Sequence, residues 1–400
     1  MIIADLHMHS RFSRATSKDL TLPNLEKWAK VKGLDVLGTS DFTHPVWLQE
    51  LKDNLKEKDG ILYTDSGFKF VLSGEISLVY TQEKGRRIHL VLLAPSFEVV
   101  DKINAYLDTK GRRDYDGRPI FKIPCDEFTK EMMNISEDIE IIPAHIWTPW
   151  FGMFGSMSGF NSLKEAFGNQ VSRIHAIETG MSSDPEMNWH IKELNDKAII
   201  SFSDSHSFWP WRMGREATIF EKIDSYRDLV DAIRNNTILG TIETDPGYGK
   251  YHWDGHRLCK FSCSPQETRK LNGKCPKCGK SLVVGVESRV EDLTNQKTEE
   301  NSHKKKFYKM LPLHEIISLV YGTGLTTKKT WQVYNGLIEK FENEFNILLN
   351  VTKEKLLEAK TDDKLVEYIL LNREGKIKVI PGYDGEYGKA VLNGPQKTLF

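Results

Sequence analysis

The sequence predicts an α/β protein. Its first 245 residues read as a parallel strand–helix unit, most simply a barrel, followed by a cysteine-bearing module and a helical region. Three observations carry this reading. Short apolar runs alternate with amphipathic stretches through residues 1–245, four of the five cysteines cluster just after that alternation stops, and from Leu311 onward apolar residues recur at helical spacing. An open doubly wound sheet is the alternative arrangement for the first unit.

The elements follow in order. Apolar runs at 2–4, 36–37, 68–72, 88–93, 139–142, 174–177 and 199–201 read as strands. Thr21-Leu22-Pro23 opens a helix, with Thr21 as candidate cap and Pro23 in the first turn. Stretches 48–55, 99–107, 163–167 and 226–233 read as further helices. The alternation ends near Glu243-Thr244-Asp245-Pro246-Gly247, which sets a first segment at 1–245, a cysteine module at 246–290 and a helical region at 291–400. Residues 291–306 are polar, end in Lys304-Lys305-Lys306 and read as a linker or exposed loop. Trp331, Tyr334, Leu337, Phe341, Phe345 and Leu348 fall three and four apart, as on one face of a long helix, and 356–371 holds another helix. Residues 382–388 form a glycine-rich loop.

Composition narrows the class. With 39% apolar and 10% aromatic residues the chain can build a sizeable core, which excludes wholesale disorder. No apolar run approaches the roughly 20 residues needed to cross a bilayer, and Asp5 spoils a signal-peptide start, so the expected address is the cytoplasm. Five cysteines, four of them clustered, do not suit a secreted disulfide scaffold, and Cys125, alone, reads as a packed thiol. The net charge of −1 hides an asymmetry: residues 1–245 carry 29 Lys and Arg against 37 Asp and Glu, and the remainder 26 against 19. An acidic half joined to a basic half suggests metal chemistry in one and an anionic partner for the other.

Ligand-type residues sit where the predicted strands end. His7 and His9, Asp41 and His44, Glu75, His145, and Asp204 with His206 each follow a strand, while His89 lies near the start of one. Strand ends of a parallel barrel converge on one face, where imidazoles and carboxylates can hold Zn²⁺, Mn²⁺ or Fe²⁺. Glu178 is a weaker candidate, and His175, His190, His252, His256, His303 and His314 read as packing or surface residues. Cys259-x₃-Cys263 and Cys275-Pro-Lys-Cys278-Gly read as a Cys₄ zinc site, closed to substrate and therefore structural. Arg257 to Lys280 holds seven basic residues against one acid, suited to a phosphate backbone. Trp147, Trp150, Phe151 and Phe154 follow His145, and Phe208, Trp209 and Trp211 follow His206. Such rings either stack on bases or plug the core beneath the loops. The DNA-contact candidates are Trp147, Trp150, Trp209, Lys274, Lys277, Lys304 and Lys305.

Asp5-Leu6-His7-Met8-His9-Ser10, Gly74-Glu75, His89, Pro143-Ala144-His145 and Ser203-Asp204-Ser205-His206 resemble the successive motifs of the PHP (polymerase and histidinol phosphatase) superfamily. The resemblance implies a distorted (β/α)₇ barrel with a phosphoesterase site of two or three divalent metals (Zn²⁺, Mn²⁺, Mg²⁺ or Fe²⁺). The implied ligands are His7, His9, Glu75, His89, His145, Asp204 and His206, with Glu75 as the bridge. Two departures stand out: Ser13-Arg14-Ala15 replaces an expected acid, and Asp41-Phe42-Thr43-His44 replaces an Asp-His pair, leaving His44 to supply that imidazole.

With the four cysteines and the ending Ile380-Pro381-Gly382-Tyr383-Asp384-Gly385, the whole chain resembles the endonuclease Q family of PHP-type DNA repair nucleases. That implies nicking of DNA 5′ to a deaminated base (uracil, hypoxanthine, xanthine) or an abasic site by metal-activated water, with His7, His9, Glu75 and Asp204 as catalytic residues. A PHP-type small-molecule phosphomonoesterase is the alternative, and a non-catalytic DNA-binding module a third reading. The cysteine module and the basic second half argue against a small substrate.

Overall fold

The computed structural model describes residues 1–298 and 303–392. The fold is mixed α/β. All seven expected strands form: Ile2–Asp5, Val36–Gly38, Lys69–Gln82, Lys84–Ala94, Glu140–Pro143, Ala176–Glu178 and Ala198–Ile200. The expected helices form at Leu22–Lys32, Pro45–Asn54, Phe97–Lys110, Leu163–Phe167 and Tyr226–Arg234. Thr21 precedes the first of these without a side-chain capping bond, and Pro23 lies in its first turn. Ser225 and Asp228 form a reciprocal capping box on the last.

The strand directions correct the expectation of a parallel sheet. Ile2–Asp5 runs parallel to Val36–Gly38 (Ala4 opposite Val36), which runs parallel to Lys69–Gln82 (Leu37 opposite Phe70). Lys69–Gln82 then pairs antiparallel with Lys84–Ala94 from Leu72–Ala94 to Gln82–Lys84, and Lys84–Ala94 pairs antiparallel with Glu140–Pro143. On the other side Ile2–Asp5 is antiparallel to Ala217–Phe220. A hairpin needs no crossover helix, so Glu83 at φ +60° turns the chain directly back and the long ribbon replaces one strand–helix unit. Ala176–Glu178 and Ala198–Ile200 pair in parallel as a separate two-stranded sheet.

The third segment is stitched into the first. Lys306–Lys309 adds a parallel strand beside Gly240–Glu243, so the stretch expected as a linker ends inside the main sheet. Its other end is pinned too, since Gln296 is buried and donates to the Trp189 carbonyl and Asn195 Oδ1. Residues 299–302 of that stretch lie outside the described residues. The long helix expected over residues 331–348 is two helices, Lys328–Phe341 and Glu344–Leu349. Glu342 takes φ +73° between them, and the Asn343 side chain accepts from Asn346 N to cap the second. Lys353–Glu358 and Asp363–Arg373 follow.

One buried ion pair fastens this region to the first helix. Lys32 Nζ lies 2.7 Å from Glu344 Oε1 and donates to the Pro210 carbonyl. Glu344 also accepts from Leu313 N and the Tyr334 hydroxyl. Around it Trp28, Trp209, Trp211 and Trp331 pack ring against ring. No helix among the described residues is long and apolar enough to cross a membrane.

Candidate metal centre

The ends of the strands aim a set of polar side chains at one point. Glu75 joins them from within Lys69–Gln82, because that strand runs on past the expected end at residue 72, and His89 joins them from within Lys84–Ala94. Ser40, Asp41, His145 and Asp204 all adopt positive φ (+62°, +41°, +31° and +46°), a region costly for residues with a Cβ. Each lies just past a strand, where the chain must turn sharply to point a side chain inward; such strain gathers at functional sites. Gly180 makes room for one of them, because a Cβ there would lie 2.5 Å from His145 Cβ. Asp5, fully buried, accepts from Ser203 N and Gly214 N, which ties the first strand to the Asp204 loop.

Two ligand groups result, and they share one carboxylate. His7, His9, Glu75 and Asp204 bring ligand atoms within 4.8 Å of one another, as do Glu75, His89 and His145. The two oxygens of Glu75 divide between them. Oε2 lies 3.4 Å from His7 Nε2 and 3.2 Å from His9 Nε2. Oε1 lies 2.7 Å from His89 Nδ1 and 3.3 Å from His145 Nε2. Asp204 Oδ1 lies 3.0 Å from His9 Nε2 and 3.6 Å from His7 Nε2. The outer nitrogens are held from behind: His7 Nδ1 is 2.8 Å from Glu178 Oε1, His9 Nδ1 is 3.1 Å from Asp41 Oδ1, and His145 Nδ1 is 2.9 Å from Thr148 Oγ1. A neutral imidazole whose Nδ1–H donates outward in this way turns its Nε2 lone pair to the centre, the form a bound cation requires. His7 Nε2 is buried and has no hydrogen-bond partner among the described residues. A buried orphan nitrogen facing clustered carboxylates fits a divalent cation.

The electrostatics follow from this packing. Burial opposes a charge on His7 and His9, yet Glu178 and Glu75 around the first, and Asp41, Asp204 and Glu75 around the second, outweigh it and hold both well above the usual imidazole range. Burial likewise opposes charge on Glu75 and Asp204. The histidines around both, together with Arg118 at Glu75, overcome it and hold both carboxyls well below the usual range. His89 goes the other way, pulled down to about 4 chiefly by burial.

Other candidates stand apart from these groups. The His206 ring lies tilted at 54° to that of His9 with centroids 4.4 Å apart, and its Nδ1 is 3.1 Å from the Asp204 carbonyl oxygen. His44 packs on Phe12 at 4.2 Å and joins neither ligand group; Asp41 instead reaches the centre by holding His9. Sequence reasoning missed Arg118, whose Nη1 donates to Glu75 Oε2 at 2.9 Å, because nothing in Gly117-Arg118-Pro119 marks it.

The cysteine module gathers a different set from the one expected. His256, Cys259, Cys275 and Cys278 place ligand atoms within 4.8 Å of one another. Cys263 is not part of that group; its Sγ lies 3.2 Å from Thr268 Oγ1. The signal was in the spacing, since His256-x₂-Cys259 mirrors Cys275-x₂-Cys278. Burial would raise the Cys275 thiol, but the Lys277 and Cys278 N–H groups outweigh it and bring it down to about 7.

Of the aromatic candidates, Trp147 is removed from any DNA-facing role: it is fully buried, packs on Phe154 and donates to Asn188 Oδ1. Trp209 is half-buried in the tryptophan cluster. Trp150 lines a cavity of about 350 Å³ together with His89, His145, Asp204, Phe151 and Tyr251. Lys274 and Lys277 are exposed on the cysteine module, Lys304 is exposed over the Trp189 ring, and Lys305 is half-buried.

Comparison with known proteins adds a second line of evidence. Residues 312–376 match the family model described as the MJ0043 C-terminal domain. The chain is 37% identical over 294 residues to protein MJ0043 of Methanocaldococcus jannaschii, covering 72% of this chain and 36% of that protein, so it spans about a third of that relative's length. It is 25% identical over 411 residues to protein YqxK of Bacillus subtilis, covering 97% of this chain and 98% of that one. Among solved structures it is similar to the lesion-specific endonuclease PfuEndoQ of Pyrococcus furiosus, with a TM-score of 0.87, 29% identity, and 98% and 95% of the two chains covered. It is similar also to endonuclease Q in complex with a 27-mer duplex bearing an abasic lesion at the active site, with a TM-score of 0.86, 30% identity, and 98% and 96% covered.

Proposed function

Because the chain belongs to the endonuclease Q family, we propose that it is a metal-dependent DNA repair endonuclease hydrolysing the phosphodiester 5′ to deaminated bases (uracil, hypoxanthine, xanthine) or abasic sites. The observation that carries this reading is the division of Glu75 between two ligand groups, one oxygen toward His7 and His9 and the other toward His89 and His145. In this reading residues 1–245 act as a distorted (β/α)₇ PHP barrel, 246–290 as a structural zinc module and 291–400 as a DNA-binding lid.

His7, His9, Glu75, His89, His145 and Asp204 would hold two or three divalent ions, with His206 and His44 at the margin. Ions bound there activate water and neutralise charge on a phosphoryl group. The protein's own groups do the rest. Glu178, Asp41 and Thr148 hold the imidazoles in place. Asp204, with 28% of its side chain exposed, forms the open side toward substrate. Arg118 adds positive charge beside Glu75, suited to a phosphate oxygen. The cavity lined by Trp150, Phe151 and Tyr251 adjoins His89, His145 and Asp204 and offers ring faces to an extruded nucleotide. The basic cysteine module supports contact with the duplex backbone, with zinc held by Cys259, Cys275, Cys278 and His256.

The test uses end-labelled duplexes carrying one uracil, hypoxanthine or abasic site, with p-nitrophenyl phosphate as the small-substrate comparator. The expected outcome is a single nick on the 5′ side of the lesion, lost on treatment with EDTA and restored by Mn²⁺ or Mg²⁺. Turnover of the phosphomonoester with the lesion duplexes left intact would replace this reading with a phosphomonoesterase.

A further inference from the structure

A second cavity, of about 410 Å³, lies beside the first and shares Met181, Arg215 and Tyr387 with it. It opens toward the helix Leu313–Tyr321, and like the first, which Arg215 and Lys250 line against Asp204, it is basic. Arg212, Arg215 and Lys389 line it against a single carboxylate, Glu315. Glu315 is already engaged, accepting from the Tyr248 hydroxyl at 2.6 Å, and burial raises its pKa above the usual carboxylate value.

Neither arginine has a carboxylate within ion-pair distance among the described residues. Arg215 is oriented by the backbone: its Nε and Nη2 donate to the Ser203 carbonyl, one residue before Asp204, at 3.3 and 3.1 Å, and burial depresses its pKa. Arg212 is half-buried and makes no side-chain hydrogen bond to any described residue. Both guanidinium groups act on Glu315, and Glu216 and Asp204 act on Arg215, but none of these carboxylates lies within ion-pair distance of either arginine. A planar fork of donors left open in this way matches phosphate oxygens.

A nucleotide extruded from a duplex is bounded by two phosphates. If the first cavity takes the base and the Glu75 centre takes the phosphate 5′ to it, the chain must leave past the shared wall of Arg215 and Tyr387. We propose that Arg212 and Arg215 form a clamp for the phosphate on the 3′ side of the extruded nucleotide. The inference rests on the endonuclease reading above. It makes the two arginines positioning residues that set where the strand sits; the chemistry stays with the metal centre.

The test is a cycle between protein and substrate. One abasic duplex carries ordinary phosphates, and a second carries a neutral methylphosphonate at the linkage 3′ to the lesion. On the second, wild-type protein should lose tenfold or more in kcat/KM, mostly through KM. Arg212→Gln, whose melting temperature should stay near wild type since no side-chain hydrogen bond or ion pair is removed, should lose a similar factor on the ordinary duplex. On the methylphosphonate duplex it should lose less than a further twofold. Arg215→Lys, which keeps a donor for the Ser203 carbonyl, should fall between. Losses that multiply, or wild-type protein indifferent to the methylphosphonate, would overturn the clamp; the second outcome decides even where a variant fails to fold. Wild-type protein that leaves the ordinary lesion duplex intact overturns the endonuclease reading itself, a result distinct from either.

Discussion

His256, rather than Cys263, stands with Cys259, Cys275 and Cys278. The short strands Asp254–His256 and Phe261–Cys263 pair antiparallel, and that hairpin carries His256 to the thiol cluster while Cys263 turns to Thr268. His256→Ala should therefore lose one zinc per chain by elemental analysis, while Cys263→Ser keeps it; the reverse result restores the four-cysteine set. A second residue-scale prediction concerns Glu243, fully buried beneath the site. Its Oε2 accepts from Thr179 and Ser201, and its Oε1 has no partner among the described residues. Burial first, and the nearby Glu216 charge second, raise its pKa well above the usual carboxylate value. Glu216 is itself pushed up to about 8, chiefly by burial, with Arg215 and the backbone N–H groups of Met181 and Thr244 pulling the other way. The folded state thus keeps a proton on Glu243 that the unfolded chain releases above about pH 4.5. Stability is not taxed below that pH and falls as pH rises toward the folded-state value, with a slope of up to about 1.4 kcal/mol per pH unit for one proton. Glu243→Gln should flatten the decline in denaturant midpoint between pH 5 and 8; an unchanged slope would place the proton elsewhere.

At the scale of elements, the Lys32–Glu344 pair joins the first helix to the helical region. Lys32→Met should cost about 3–5 kcal/mol in urea denaturation, because it strands a buried carboxylate. The double variant with Glu344→Leu should recover part of that loss, and a neutral single variant would show that the pair is not a fastening. Elements of this kind mark what was legible in the sequence and what was not. Each of the seven expected strands and the five expected helices of the first segment announced itself by local periodicity, and so did the placing of His7, His9, His145 and Asp204 after strand ends. The helix Cys125–Ile135 went unread, and Glu75 lies within a strand that runs on past its expected end. Strand direction was not legible, since the Lys69–Gln82 and Lys84–Ala94 ribbon carries the same apolar content whether it returns directly or by a crossover. The break at Glu342 was hidden because apolar spacing continues through it from Trp331 to Leu348. Trp147 looked like a loop aromatic, and only the fold shows Asn188 waiting for its indole N–H.

For the whole molecule, the acidic first segment carries the clustered histidines and carboxylates and the two arginines of the second cavity, and the basic remainder supplies the exposed cysteine module and the rest of that cavity's wall. The strand Lys306–Lys309 and the Lys32–Glu344 pair hold those parts against one another, and the two cavities meet at Met181, Arg215 and Tyr387. The account turns on whether Glu75 joins two cation sites. Elemental analysis of purified wild-type and Glu75→Gln protein, followed by anomalous diffraction from crystals of each, addresses that directly. The prediction is two or three divalent ions in the wild type besides the one at the cysteines, lying on both sides of the Glu75 carboxylate, and loss of more than one of them in the variant. A wild-type protein holding only the cysteine-bound ion, or a variant that keeps its full complement, would contradict it.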